Sequence, residues 1–274
     1  IEDIEQDMPD SLSGYNMYKF TFGAVRDDVF GLTTRSTAFT LVPIADTLDF
    51  GKNAKFRQFH LSAVADSISY ADPTQQYILQ NINVYELESP LNLSKLNPEI
   101  KYNRKRITDG VPVYNGTDSL SIDFSKEFGE KYMGITAADM DTITNYTKKF
   151  PGIYITTDVP AGNGGRINMF RLPISVNSGT IYGSYAELKF TADYGERKQV
   201  DTSFLFYLGP MSLYDLSGVT STTVAKQTQI AYDMTTHSSK GLQGKAEKTI
   251  LMEGGKGLKP VIKAKFLRDK ALEE

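Results

Sequence analysis

The chain has no cysteine, no tryptophan and only two histidines in 274 residues. Without cysteine, disulfides and thiolate zinc sites are excluded within it. A chain of this length buries a sizeable core without them, in one large β domain or one domain plus part of another. The histidines, His60 and His237, stand far apart in no metal-ligand spacing. No apolar run approaches the ~20 residues of a membrane-spanning helix. A dominant charge sign is missing too: 30 Lys and Arg against 33 Asp and Glu give a net charge of −3. That balance gives no electrostatic reason to expect nucleic acid. The densest basic run, Lys101, Arg104, Lys105 and Arg106, lies among turn residues and reads as a solvated loop. The opening Ile1-Glu2-Asp3-Ile4-Glu5 carries no initiating Met and no signal peptide, and reads as a processed start.

What is present is strand pattern. Leu120, Ile122 and Phe124 alternate with Ser121, Asp123 and Ser125, and Ala186, Leu188 and Phe190 with Glu187, Lys189 and Thr191. Tyr18, Phe20 and Phe22 begin a further strand, and Phe204, Phe206 and Leu208 make another row. A period of two with one apolar face is that of half-buried antiparallel strands. Turn chemistry separates them, at Asn115-Gly116 and in Ala161-Gly162-Asn163-Gly164-Gly165, which reads as a hairpin tip. Helix is scarce. Thr136 and Asp139 suggest a capping box, Met140, Ile143, Tyr146 and Phe150 an apolar stripe, and Pro151 a stop. A shorter turn is expected from Ser125 to Tyr132, and the segment from Val261 to Glu274 reads as helical. The expected fold is an all-β antiparallel sandwich, jelly-roll-like, with one or two short helices. Residues 1–14 read as a flexible leader, 15–212 as the sandwich, and 213–274 as a β segment and helix, or the start of a second module.

No motif reaches catalytic grade. Gly254-Gly255-Lys256-Gly257 lacks the flanking residues of a phosphate loop. Acyl transfer needs a nucleophile, a base and an orienting acid in contact. Here His60 reads as a strand residue on an outer face, and His237 as part of a polar loop. Glycoside hydrolysis needs two carboxylates at a set separation, and spacing in sequence identifies no pair. Turn acids such as Asp27, Asp28, Asp46 and Asp49 satisfy loop backbones. A structural Ca²⁺ is left open as a cofactor, since loop oxygens suit it, although no EF-hand spacing is present. The sharpest positive signal is aromatic. Among 16 tyrosines, Tyr102, Tyr114 and Tyr182 stand in or beside turns, next to Asn103, Asn115 and Gly183. Tyr102, Tyr114, Asn115 and Tyr182 are therefore the candidate ligand-binding residues, fit to hold the face of a sugar.

The order of several segments resembles the DUF4270 family, a domain of unknown function in surface lipoproteins of Bacteroidetes bacteria. The residues are Asp27-Asp28-Val29-Phe30-Gly31-Leu32-Thr33-Thr34, where the family's proline is missing, Ile82 to Leu87, Leu120 to Phe124 with Phe128-Gly129, Phe150 to Ile155, Gly165-Arg166-Ile167, and Glu253 to Gly257 with Lys259 to Phe266. The match covers most of residues 15–270. It implies a surface-exposed protein of the outer membrane, held by a lipid anchor upstream of Ile1, and implies no enzyme activity. An Asp–Ser/Thr–aliphatic tripeptide recurs at Asp10, Asp46, Asp66, Asp118 and Asp141, similar to an O-glycosylation acceptor pattern of the same bacteria. The expected function is non-catalytic binding or adhesion, with a glycan as ligand. The alternatives are a structural subunit of a surface assembly, with surface proteins as partners, and an undetected glycoside hydrolase. Nucleic acid is not an expected partner, and membrane contact is expected only through the anchor.

Overall fold

The computed structural model describes residues 3–7, 14–16, 18–45, 47–70, 73–92, 100–117, 119–177, 180–209, 231–245, 249–254 and 257–263. The first part of the chain gives strands β1 (Asp3–Asp7), β2 (Gly14–Asn16), β3 (Lys19–Asp27), β4 (Gly31–Phe39), β5 (Leu41–Pro43), β6 (Lys52–Ala63) and β7 (Ala65–Tyr70). The middle gives β8 (Gln80–Leu87), β9 (Tyr102–Arg106), β10 (Val113–Tyr114), β11 (Leu120–Asp123) and β12 (Ile153–Thr157), with helices α1 (Lys126–Met133) and α2 (Ile143–Lys149) before β12. There follow β13 (Gly164–Arg171), β14 (Ser175–Asn177), β15 (Thr180–Tyr182), β16 (Tyr185–Tyr194), β17 (Arg197–Leu208), β18 (Ala231–His237), β19 (Gly244–Lys245) and β20 (Lys259–Lys263).

These strands make an all-β, antiparallel, sandwich-like fold. A curled ten-stranded sheet runs β10-β8-β12-β4-β3-β13-β7, with β9 on β8, β18 on β4 and β2 on β18. A five-stranded sheet runs β11-β6-β16-β17-β5. The alternation seen in sequence is the burial observed: in β11, Leu120 and Ile122 are buried and Ser121 and Asp123 exposed. One core joins Phe20, Phe22 and Phe39 of the large sheet to Phe59, Leu61 and Phe206 of the smaller. Phe20 and Phe170 stack with ring centroids 5.2 Å apart, and Phe59 meets Phe206 at 5.3 Å.

Both helices belong to this core. Ser125 caps α1 by accepting from the Phe128 amide, and Gly134 ends it. Phe128 and Tyr132 of α1 face the Phe59 ring. Gly129 lets the helix close on β6, because a Cβ there would lie 2.0 Å from the Phe56 ring. Helix α2 begins at Thr142, later than the capping box suggests. Asp139 does bond Thr136, but the pair closes a turn rather than a helix. Tyr146 of α2 donates its hydroxyl to Leu41 O at 2.6 Å.

Several expectations change here. Residues 3–7, placed in the flexible leader by sequence, form β1 and pair with β20 and β19 in a three-stranded sheet. The segment from Val261, expected to be helical, opens instead as the last three residues of strand β20 (Lys259–Lys263), and residues 264–274 lie outside the described residues. The boundary near residue 212 lies outside them too, but β18 beyond it enters the large sheet beside β4. The basic run 101–106 is mostly strand β9, not loop. The glycine-rich segment 161–165 is no hairpin tip: it joins β12 to β13, which β4 and β3 separate.

Candidate functional site

At one end of the large sheet, the start of β8 and the segment between β12 and β13 enclose a cleft of about 320 Å³. Its polar lining comes from Gln80, Asn81, Asp158, Asn163 and Arg166, its apolar lining from Ile78, Leu79, Val159 and Pro160. Asp158 follows the last residue of β12 on the outward side of the sheet. Asn81 Nδ2 and Asn83 Nδ2 donate to its two carboxylate oxygens at 2.9 and 2.8 Å. Those bonds, Asn81 first and then Asn83, hold its carboxyl below the usual carboxylate range against the opposing effect of burial. Each oxygen keeps a second lone-pair direction for a ligand hydroxyl. Arg106 Nε in turn donates to Asn83 Oδ1 at 2.9 Å, which fixes that amide's orientation.

The floor is built on a buried cation. Arg166 of β13 is fully buried. Its Nη1 donates to Gln76 O and Ile78 O, its Nη2 to Tyr114 O, and its Nε to Asn168 Oδ1 at 2.7 Å. Two carbonyls from the segment before β8 and one from β10 thus converge on one guanidinium, whose planar fork suits diverging acceptors. Burial lowers its pKa, and the nearby Tyr114 acts the other way. Backbone space at this point is tight. Gly165 has φ +83°, and a Cβ there would lie 2.2 Å from Ala24 O. A Cβ at Gly116 would lie 2.8 Å from Arg166 Nε. Of the lining, Ile78, Leu79 and Val159 are exposed, and exposed Val113 stands opposite Asn81 on the neighbouring strand, a local concentration of large apolar side chains.

Next to the cleft on the same outward face stands a tyrosine cluster. Tyr85 and Tyr154 are cross-strand partners, and Tyr102 of β9 leans over them. Tyr102 stacks on Tyr154 at 4.3 Å and on Tyr85 at 5.1 Å between centroids. Burial raises the Tyr154 pKa, with Ser36 opposing as a hydrogen-bond donor. The stacked rings are each partly buried, so part of each remains open to solvent.

The four residues expected to bind ligand do not converge. Tyr102 lies in this cluster, half-buried. Tyr114 is buried, its ring 5.3 Å from Phe170 and under the Arg166 guanidinium, so it offers no open face. Asn115 accepts from the Thr117 amide and closes the turn at Gly116. Tyr182 is exposed on the separate β14–β15 ribbon. Asp158, Asn81 and Arg166 were missed. The signal for the first was the turn-rich Asp158-Val159-Pro160-Ala161-Gly162-Asn163, where a carboxylate and an amide share one loop.

Both histidines contact carboxylates. On the five-stranded sheet, His60 Nδ1 lies 2.8 Å from Asp123 Oδ1, and its Nε2 lies 3.5 Å from Ser121 Oγ. His237 is not in a polar loop: it ends β18 with its side chain buried, and its Nδ1 meets Glu253 Oε1 at 2.8 Å. Thr33 and Ser239 also donate to Glu253, which ties the segment near residue 253 to β4 and β18. Among the described residues, no group of three or more His, Cys, Asp or Glu side chains is placed to hold a metal, and no helix is long and apolar enough to cross a membrane. Of the tripeptide sites, Thr47, Ser67, Ser119 and Thr142 are exposed, and Asp10 to Leu12 lie outside the described residues. Comparison with protein-family models, with curated proteins and with solved structures found no match to the chain.

Proposed function

We propose that this chain is a binding module whose recognition site is the cleft at Asp158, with a carbohydrate as its ligand. The observation that carries this reading is the Asp158 carboxylate, held between two asparagine amides at the mouth of an apolar-rimmed cleft. Sugars present hydroxyls that bridge a carboxylate and an amide, and C–H faces that lie on side chains such as Leu79 and Val159. A largely preformed cleft with a few convergent polar groups suits such a ligand. Arg166 and Gly165 pre-organise the walls, which limits the ordering cost of binding. The tyrosine hydroxyls and Arg106 extend the polar strip beyond the cleft. Set on the outer face of a β scaffold, this arrangement fits the surface protein that the DUF4270 resemblance implies; the lipid anchor and outer-membrane location rest on that resemblance alone. A glycan array followed by calorimetry on the chain tests the reading. Binding to one glycan class, weakened at least tenfold by Asp158→Ala, supports it. No binding across host, dietary and microbial glycans overturns it.

A second reading, a docking subunit of a surface assembly, is favoured by the exposed rim of Ile78, Leu79 and Val159, with Val113 on the adjoining strand. Crosslinking in cells separates the two. An assembly subunit gives one recurrent partner joined through the rim, and a glycan binder does not.

A further inference from the structure

We propose that Ser121, His60 and Asp123 form a nucleophilic serine site for small activated carboxylic esters on the outer face of the five-stranded sheet. This site is separate from the cleft, which lies on the other sheet. Sequence places His60 far from Ser121 and Asp123, and strand register brings it to them. Strand β11 pairs with β6 so that Asp123 stands opposite His60 and Ser121 opposite Ser62. The Phe124 amide donates to Phe59 O, which makes residues 124 and 59 a hydrogen-bonded pair. By alternation, Asp123 and His60 are a non-hydrogen-bonded pair, the kind whose side chains approach most closely. Ser121, two residues before Asp123, points from the same face and is the diagonal neighbour of His60.

The hydrogen bonds have the polarity that acyl transfer requires. The His60 Nδ1–H donates to Asp123 Oδ1 at 2.8 Å, and Gln58 Nε2 donates to the same oxygen at 2.7 Å. This leaves the Nε2 lone pair for the Ser121 hydroxyl at 3.5 Å, a distance that shortens when an oxyanion forms. The tautomer follows from these partners. Asp123 does not touch substrate: it is a positioning residue for the imidazole. The alternation that pairs Phe124 with Phe59 also turns the Ser121 amide away from β6. It is directed to the outer edge of the strand, where it is a donor for the developing oxyanion. Beyond Ser62 on the same face, Tyr185 of β16 and Tyr207 of β17 continue the cross-strand row that starts at Ser121.

The step balances without a metal or redox partner. Ser121 Oγ forms a bond to the ester carbonyl carbon while its proton passes to His60 Nε2. The carbon–oxygen bond to the leaving group breaks, and the alcohol departs with that proton. Water then attacks the acyl-serine, gives a proton to Nε2, and releases the carboxylic acid as the proton returns to Oγ. The His60 side chain is 25% exposed and Asp123 50%, so the site is open to solvent. It therefore suits small esters with good leaving groups rather than peptide amides.

The test uses the full chain with p-nitrophenyl acetate, and a fluorophosphonate probe followed by peptide mapping. The expected result is a burst of nitrophenol and one adduct, on Ser121. Ser121→Ala and His60→Gln are expected to lower the protein-dependent rate by at least about 100-fold, within the usual range for acid–base assistance. Asp123→Asn is expected to slow acylation and to shift the ¹⁵N resonances of the His60 ring, which report its tautomer. An undiminished rate in Ser121→Ala, or an adduct only on lysine, tyrosine or His60, overturns the proposal. If a variant fails to fold, the adduct position in the unaltered chain decides alone.

Discussion

Arg166→Met removes the cation beneath the cleft and keeps an apolar stem of similar reach. In the folded chain the guanidinium satisfies Gln76 O, Ile78 O and Tyr114 O. The Tyr114 carbonyl is buried and the other two partly so; at ~1 kcal/mol for each acceptor left without its donor, the three together cost about 3 kcal/mol. Release of the buried charge opposes this loss. Hydrogen bonds to a charged group contribute ~1.5–3 kcal/mol each, however, so the net sign stays destabilising. At 2–4 °C per kcal/mol for a chain of this size, the melting temperature falls by roughly 6–12 °C. Arg166→Lys should recover only part, because an ammonium cannot present a planar fork to diverging carbonyls. Urea unfolding with an unchanged slope measures the energy, and amide exchange at residues 78–82 measures loosening of the wall. If Arg166→Met unfolds within ~0.5 kcal/mol of the unaltered chain, an ordinary surface effect, and exchange is unchanged, the role of Arg166 in holding the cleft wall is refuted.

Other perturbations have defined signs. Asp233 in β18 is pushed up to about 6 by burial, with hydrogen bonds from Thr21 and the Arg35 charge opposing. The folded chain then binds the extra proton between pH 4 and 6. Stability should fall as pH rises through that window, by about 3 kcal/mol in all at 1.36 kcal/mol per unit, and urea midpoints of Asp233→Asn should lack this slope. Asp193 acts in the opposite direction. Bonds from Asn53 and then from Gln199 depress it to about 2, so its contribution is lost as pH falls from 4 towards 2, and Asp193→Asn should remove that acid-side loss. The Tyr146 hydroxyl bonds Leu41 O, whereas the buried Tyr132 hydroxyl has no partner among the described residues. Tyr146→Phe should therefore cost ~1 kcal/mol in chemical denaturation, and Tyr132→Phe nothing or a slight gain.

The fold was legible where one strand face is buried and the other wet. Leu120 and Ile122, and Ala186, Leu188 and Phe190, state their own direction. Helix starts were less legible, because Ser and Thr cap turns as readily as helices: Thr136 closes a turn, while Thr142, six residues on, begins α2. The pairing of β1 with β20 was invisible, since a polar, acidic segment carries no periodic signal of its own. The sites were less legible still. Asp158 meets Asn83 across 75 residues, and His60 meets Asp123 across 63, through registers that no local pattern reports. A Gly-Gly-Arg segment reads as an exposed turn. Its burial depends on carbonyls at residues 76, 78 and 114, and any residue type can supply a carbonyl.

The central claim is that the Asp158 cleft binds carbohydrate. Titration of the ¹⁵N-labelled chain with the glycan selected on the array tests it directly. The account predicts shifts concentrated at the side-chain amides of Asn81 and Asn163 and the backbone of residues 158–165, and their loss in Asp158→Ala. Shifts confined to the β14–β15 ribbon near Tyr182, or unchanged affinity in Asp158→Ala, would contradict it.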